Sequence, residues 1–336
     1  MKKIILYCLA SSLGFLFILS SCTKRPAEDI TPTRTDNSFN NFFASQRNER
    51  QAFTINSNVD NVITGASGTK VYIGGGTLRN LTGGQITGNV TITLKEVFKL
   101  SDMILNNAPT MSNGEILTSG GEVFVSATQN GQELTLESNT TFFISIPAPN
   151  GTTDSMNVFI GEDSSGVIAW EPVNADTVNS NTTIPIVRSQ ASLDTAAYYN
   201  NADWAIVNQI NQYVVRSNKF GWINCDYFYS FQNTCSLTTT CDTIYKTPYT
   251  KVYFAIPATN STGYLYVNAQ SNFYIPEIPD ATALKIVAIN YSNGKYHVCI
   301  TDHIVNCNSN SNNIVHLNFI EMEESQLETY ISQINI

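Results

Sequence analysis

Charge is scarce in this 336-residue chain. Asp, Glu, Lys and Arg make up 13% of it, with 18 basic residues against 27 acidic ones and a net charge of −9. That balance repels a phosphate backbone and argues against nucleic-acid binding. Histidine is scarcer still, at three: His297, His303 and His316. No Cys-x-x-Cys and no paired-His spacing accompanies them, so a zinc site lacks a ligand set, although His297 and His316 would meet if their strands were neighbours. A Gly-x-Ser-x-Gly elbow, a His-Glu-x-x-His helix and an EF-hand loop are also missing. The stretch "YIGGGTLRNLTGG" is Gly-rich, but it lies among strand-like segments and opens no helix. A phosphate loop needs that helix N-terminus, so the stretch reads as a loop or bulge. Beyond the first twenty residues no apolar run is long enough to span a bilayer. No cofactor is implied.

The one long apolar run stands at the start, "MKKIILYCLASSLGFLFILSSC". Lys2 and Lys3 form a positive n-region, and Ile4 to Leu19 form an apolar core of about sixteen residues, short for a span. Leu19-Ser20-Ser21-Cys22 then resembles the lipobox of bacterial lipoproteins. That resemblance implies removal of residues 1–21, a diacylglycerol on the Cys22 thiol and an acylated amino terminus. Each buried methylene of such chains contributes about 0.8 kcal/mol, so several chains hold a protein on a membrane. Thr23 does not look like an inner-membrane retention signal, so the resemblance favours the outer membrane. Residues 22–50 carry Pro, Asn and mixed charge with little periodicity and read as a lipidated flexible tether.

The rest is rich in Asn, Thr, Ser, β-branched and aromatic residues, a composition that favours β-structure. A mature chain of about 315 residues suggests two domains. Val90, Ile92 and Leu94 alternate with polar neighbours, as do Val123 and Val125, Leu134 and Leu136, and Phe142, Ile144 and Ile146. Period two with frequent turns predicts an N-terminal β-sandwich over residues 51–150. A connecting region follows over 151–212. It holds two strands, at Met156–Ile160 and Val167–Trp170, and a short helix near Asn201–Gln212, where Trp204, Val207 and Ile210 fall on one side. A C-terminal β-rich domain spans 213–336. Its stripes are Val252, Phe254 and Ile256, then Leu265 and Val267, then Val315, Leu317 and Phe319. The fully apolar run Ile286–Ile289 lies between them. Leu327, Tyr330, Ile331 and Ile334 fit i, i+3, i+4, i+7 and predict a short terminal helix, with Glu323 and Glu324 at its positive end. The fold class is therefore mainly β, with two β-sandwich-like domains.

Cys225, Cys235, Cys241, Cys299 and Cys307 all lie in the last third. Export permits disulfides, and an odd number leaves at least one thiol free. Short separations favour Cys235–Cys241 across a Thr-rich loop and Cys299–Cys307 across a turn, although spacing does not fix connectivity.

The segment "FGWINCDYFYSFQNTC" concentrates aromatics, Cys225, Cys235 and Asp226. Trp222, Tyr227 and Tyr229, with Tyr264 and Tyr266, are candidates for stacking on sugar rings. The alternative is that Trp222, Ile223 and Phe228 fill a core, and the segment is read mainly as structural. Cys225, Asp226 and His303 are the candidates for a hydrolase, but neighbours in a strand point to opposite faces. "QAFTIN", "ITGNVTITLKEVFKLSDMI", "GEILTSGGEVFVSA" and "FGWINCDYF" resemble, in order, a group of lipoproteins typical of Bacteroidota. The group is similar over roughly residues 51–336, and the resemblance implies a Gly-Thr-led β-sandwich followed by a domain with the Gly-Trp-Ile-Asn-Cys-Asp signature. It supplies no reaction. Exported proteins of such bacteria carry O-glycans at Asp-Ser/Thr before a small or apolar residue, which implies Ser155, Thr177, Thr195 and Thr243. The expectation is a lipid-anchored, non-enzymatic binding or scaffold module. Its partners are the membrane and a protein or glycan. A glycan-binding accessory of nutrient uptake and a hydrolase are the alternatives.

Overall fold

Alternation along one strand fixes which layer each side chain joins. In Asn89–Val97, Val90, Ile92 and Leu94 face one core, while Val97, of opposite parity, faces another. The structure is a computed structural model and describes residues 37–148, 156–173, 205–209, 211–246, 248–308 and 313–335. It is mainly β, as the composition predicts.

Among the described residues the first sandwich is built from fourteen strands. They are β1 (Gln51–Asn56), β2 (Asn61–Thr64), β3 (Lys70–Ile73), β4 (Leu78–Asn80), β5 (Asn89–Val97), β6 (Met111–Ser112) and β7 (Glu115–Gln129), followed by β8 (Gln132–Leu136), β9 (Phe142–Pro147), β10 (Asn157–Ser164), β11 (Val167–Pro172), β12 (Ala205–Gln209), β13 (Gln212–Ser217) and β14 (Gly221–Phe228). One sheet runs β1-β5-β7-β14-β10-β11, with β4, β6 and β8 attached, and the facing sheet runs β12-β13-β9-β3-β2. Val90, Val123, Phe142, Ile144, Val215 and Ile223 fill the space between them. The second sandwich has nine strands: β15 (Thr234–Thr240), β16 (Thr250–Ile256), β17 (Ser261–Tyr264), β18 (Tyr266–Val267), β19 (Phe273–Pro279), β20 (Ala283–Ser292), β21 (Lys295–Ile304), β22 (Ile314–His316) and β23 (Ile320–Met322). Its sheets run β17-β16-β20-β21-β23 and β18-β19-β15-β22. Leu237, Val252, Phe254, Phe273 and Ile286 lie between them.

A third core joins the two sandwiches. The outer face of β7, β10 and β14 supplies Leu117, Phe159 and Trp222, and the outer face of β16, β20 and β21 supplies Tyr253, Val287, Ile289 and Val298. Three helices complete it: α1 (Asn37–Asn48), α2 (Leu100–Leu105) and α3 (Glu324–Ile331). Both facing sheets are thus buried on both sides, which is why β20 carries an unbroken apolar run. α3 begins on the reciprocal Glu323–Gln326 capping box and buries Leu327 and Ile331, as its spacing predicts.

The structure corrects the expected tether, connecting helix and domain boundary. The tether ends earlier than residue 50, because α1 inserts Phe39, Phe42 and Phe43 into the third core. The helix expected near 201–212 is instead the β12–β13 hairpin, with Asn211 at φ +64°. β13 pairs with β9, and β14 pairs with β7 and β10, so the second sandwich begins after Phe228 rather than at residue 213.

The disulfide is Cys235–Cys307, with Cys241 and Cys299 as buried thiols. The expected Thr-rich loop is strand β15, whose ends are about 20 Å apart at roughly 3.3 Å per residue, far beyond the Cα separation of about 7 Å that a bridge tolerates. Cys299 sits mid-strand in β21 and faces the second core, so Cys307, beyond the strand end, is out of its reach for the same reason. Cys225, also buried, faces the first core.

Candidate functional site

β17 accompanies β16 only from Ile256 opposite Ser261 to Tyr253 opposite Tyr264. The chain then crosses to β18, which pairs with β19 in the other sheet. Thr250 to Val252 lose their strand neighbour there, apart from the Leu265 N–H donating to the Val252 carbonyl at 2.8 Å. Across this open edge stands the β10–β11 turn of the first sandwich. Between them lies a cleft of about 380 Å³, whose lining includes Asn107, Ser164, Ser165, Lys251, Tyr264 and Tyr266.

Asn107 holds the two walls together. It adopts φ +49° at the end of α2, donates from Nδ2 to the Gly166 carbonyl of the turn, and accepts at Oδ1 from the Tyr253 hydroxyl at 2.8 Å. Arg47 of α1 reinforces the junction by donating to the carbonyls of Asn106 and Gly166, both at 3.1 Å, with Asp163 at 3.5 Å. Burial pushes the Tyr253 phenol upward, so it stays neutral and acts as a donor. At the mouth, Tyr264 and Tyr266 meet edge to face at 5.2 Å, and Tyr274 follows at 6.2 Å from Tyr266. All three are half-buried, so each keeps ring surface for a ligand.

Of the five aromatic candidates, the structure therefore brings two, Tyr264 and Tyr266, to the cleft. Trp222 belongs to the third core. It lies edge-on to Trp170 at 6.4 Å and Phe124 at 5.4 Å, with only 6% of its surface exposed. Tyr227 packs against the first core, and Tyr229 meets Phe231 at 4.5 Å away from the cleft. The chain matches no family model and no curated protein. The likeness to Bacteroidota lipoproteins thus rests on the segments quoted above. Cys22, Ser155, Thr177 and Thr195 lie outside the described residues; Thr243 is exposed in the short turn Thr243–Tyr245.

The hydrolase candidates do not converge. Cys225 faces the first core, where burial pushes its thiol well above the ordinary range, opposite to what a nucleophile needs. Asp302 pairs with Lys285 at 2.8 Å, and His303 meets the Asn313 side-chain oxygen at 3.3 Å. His297 and His316 lie on different sheets, near Glu321 at 3.8 Å and Asp242 at 3.9 Å respectively. Among the described residues no group of three His, Cys, Asp or Glu side chains is placed to hold a metal.

Sequence reasoning missed a buried acid pair. β14 and β7 shift register between Asn224 and Asp226, where Gly121 takes φ +129° and frees the strand to bulge. Glu122 lies opposite Asn224, and Asp226 lies opposite Ser119; both acids are fully buried. Asp226 Oδ2 accepts from Asn224 Nδ2 at 2.5 Å, whereas neither Glu122 oxygen has a partner among the described residues. Burial raises Asp226 to about 8, against hydrogen bonds that lower it, and raises Glu122 well above the usual carboxylate range, where Asp226 and Asp102 push it further.

Proposed function

We propose that this chain is an exported, lipid-anchored, non-enzymatic binding module that presents the cleft between its two sandwiches to a glycan. The cleft carries the proposal: two half-buried tyrosines, Tyr264 and Tyr266, line a concave site whose walls are fixed by the Asn107 and Arg47 hydrogen bonds. Aromatic faces cover the apolar C–H surface of a sugar ring, while Ser, Asn and Tyr groups meet its hydroxyls. Such a rigid arrangement costs little ordering on binding. The anchor is supported by the signal-like leader and the Leu19–Cys22 box. An outer-membrane location follows from the same likeness.

The test uses the full lipidated chain in detergent, screened by thermal shift against envelope and dietary polysaccharide fragments. A fragment is expected to raise the melting temperature, and Tyr266→Ala to weaken its binding about tenfold, equivalent to about 1.4 kcal/mol. Tyr229→Ala, away from the cleft, is expected to leave it unchanged. Equal binding by Tyr266→Ala and wild type, or no response to any fragment, would sink the cleft reading. The mass of the N-terminal peptide from the same preparation should show a diacylglycerol thioether at Cys22; a bare sulfur there removes the anchor.

A further inference from the structure

We propose that the glycan taken by this cleft carries a carboxylate, and that Lys251 is the counter-charge built to receive it. The inference rests on the cleft being a sugar site, as argued above.

Lys251 shares the face of β16 that carries Tyr253, the face turned toward the first sandwich, and it lines the cleft. Four cations crowd this junction, and three have acceptors. Arg47 is bonded to two carbonyls and Asp163. Arg50 donates to the Arg47 carbonyl and stacks on Phe124 at 3.8 Å. Lys95 donates to the carbonyls of Gln46 and Glu49. Lys251 has only the Phe43 ring, 4.9 Å from its amine. Among the described residues no carboxylate comes within 4.0 Å of that amine, and no acceptor bonds to it. Asp163, the acid that acts on it from a distance, is already engaged by Arg47 and by the Gly166 N–H at 2.8 Å.

The lining of the cleft contains no Asp or Glu, although the chain has 27 acidic residues. The cleft is therefore a local inversion of the protein's overall charge, and it would attract an anion that the rest of the surface repels. Burial, and then Arg47, lower the Lys251 amine from 10.5 to about 8. Half-buried on β16, it remains mostly charged at neutral pH without a carboxylate partner among the described residues. A ligand carboxylate supplies that partner while the tyrosines cover the ring that bears it. The volume lies near the lower end of the range for ligand pockets, about 300–1,000 Å³, which suits one or two sugar rings.

The test is calorimetric titration of the full lipidated chain in detergent. The probes are galacturonate, glucuronate and sialyl oligosaccharides, each beside its neutral counterpart of equal length. At pH 6.5 at least one acidic sugar is expected to bind about tenfold tighter than its neutral partner. That preference should fade as pH rises past about 8, where the amine loses its proton. Lys251→Met is expected to bring the acidic-to-neutral ratio to about one, and Lys251→Arg to keep it, which separates loss of charge from loss of fold. Equal binding of acidic and neutral sugars by wild type, with both weakened in Tyr266→Ala, overturns the carboxylate and leaves the cleft. A preference that persists in Lys251→Met also overturns it. No binding by any probe overturns the sugar site and this inference with it.

Discussion

Glu122→Met is expected to raise the unfolding free energy by about 2 kcal/mol, more at pH 8 than at pH 5, and to flatten its dependence on pH. Removing a fully buried carboxyl whose oxygens have no partner recovers about 2 kcal/mol of desolvation. Removing an acid whose carboxyl is held by burial well above the usual carboxylate range adds to that gain as pH rises. The sign follows from the shifts. In the unfolded chain Asp226 ionises near its ordinary value, whereas in the folded chain it holds its proton up to about pH 8. Between those limits the unfolded chain binds fewer protons, so rising pH favours unfolding. The contribution is complete below about pH 4 and is lost as pH climbs to about 8. Glu122 shifts the same way. Urea unfolding of the wild-type chain should therefore show stability falling by about 3 kcal/mol from pH 5 to pH 8, less than the ceiling of about 1.4 kcal/mol per unit per group. Glu122→Gln should reduce the slope with little gain at pH 5, since it keeps the unpartnered polar atoms. A flat wild-type profile would mean that water reaches this part of the third core.

Trp222→Ala is expected to cost about 4 kcal/mol, within the range of large aromatic truncations in cores. Trp222 fills space against Trp170 and Phe124, and Gly161 lies so close beneath that a Cβ there would stand 2.7 Å from the Trp170 ring and 2.7 Å from the Trp222 Cβ. A loss under about 1 kcal/mol would show that Trp222 does not fill this core. A specific loss of sugar binding without loss of stability would return it to the ligand set.

Much of this architecture was legible locally. The parities of Val90, Ile92 and Leu94, of Phe142, Ile144 and Ile146, and of Val252, Phe254 and Ile256 assign each strand's inner face correctly. They do not reveal partners, because period two describes a pleat and not its neighbour. Period two thus assigns β13 and β14 to the second domain, whereas they pair within the first sandwich and Trp222 is buried in the third core. α1 was hidden by composition: Phe39, Phe42 and Phe43 keep helical spacing, but Asn and Ser surround them and they bury only against a distant sheet. The cleft was half legible, through Tyr264 and Tyr266. Its other wall comes from residues near 107 and 165, which no window along the chain joins.

The most direct measurement of the central claim, that the cleft between the sandwiches is the binding site, is amide hydrogen exchange of the full chain with and without a bound sugar. Ligand should slow exchange in the β10–β11 turn around Ser164 to Val167 and in Tyr264 to Val267, on both walls together. Protection confined to the Tyr229 region, or to one sandwich alone, would contradict it.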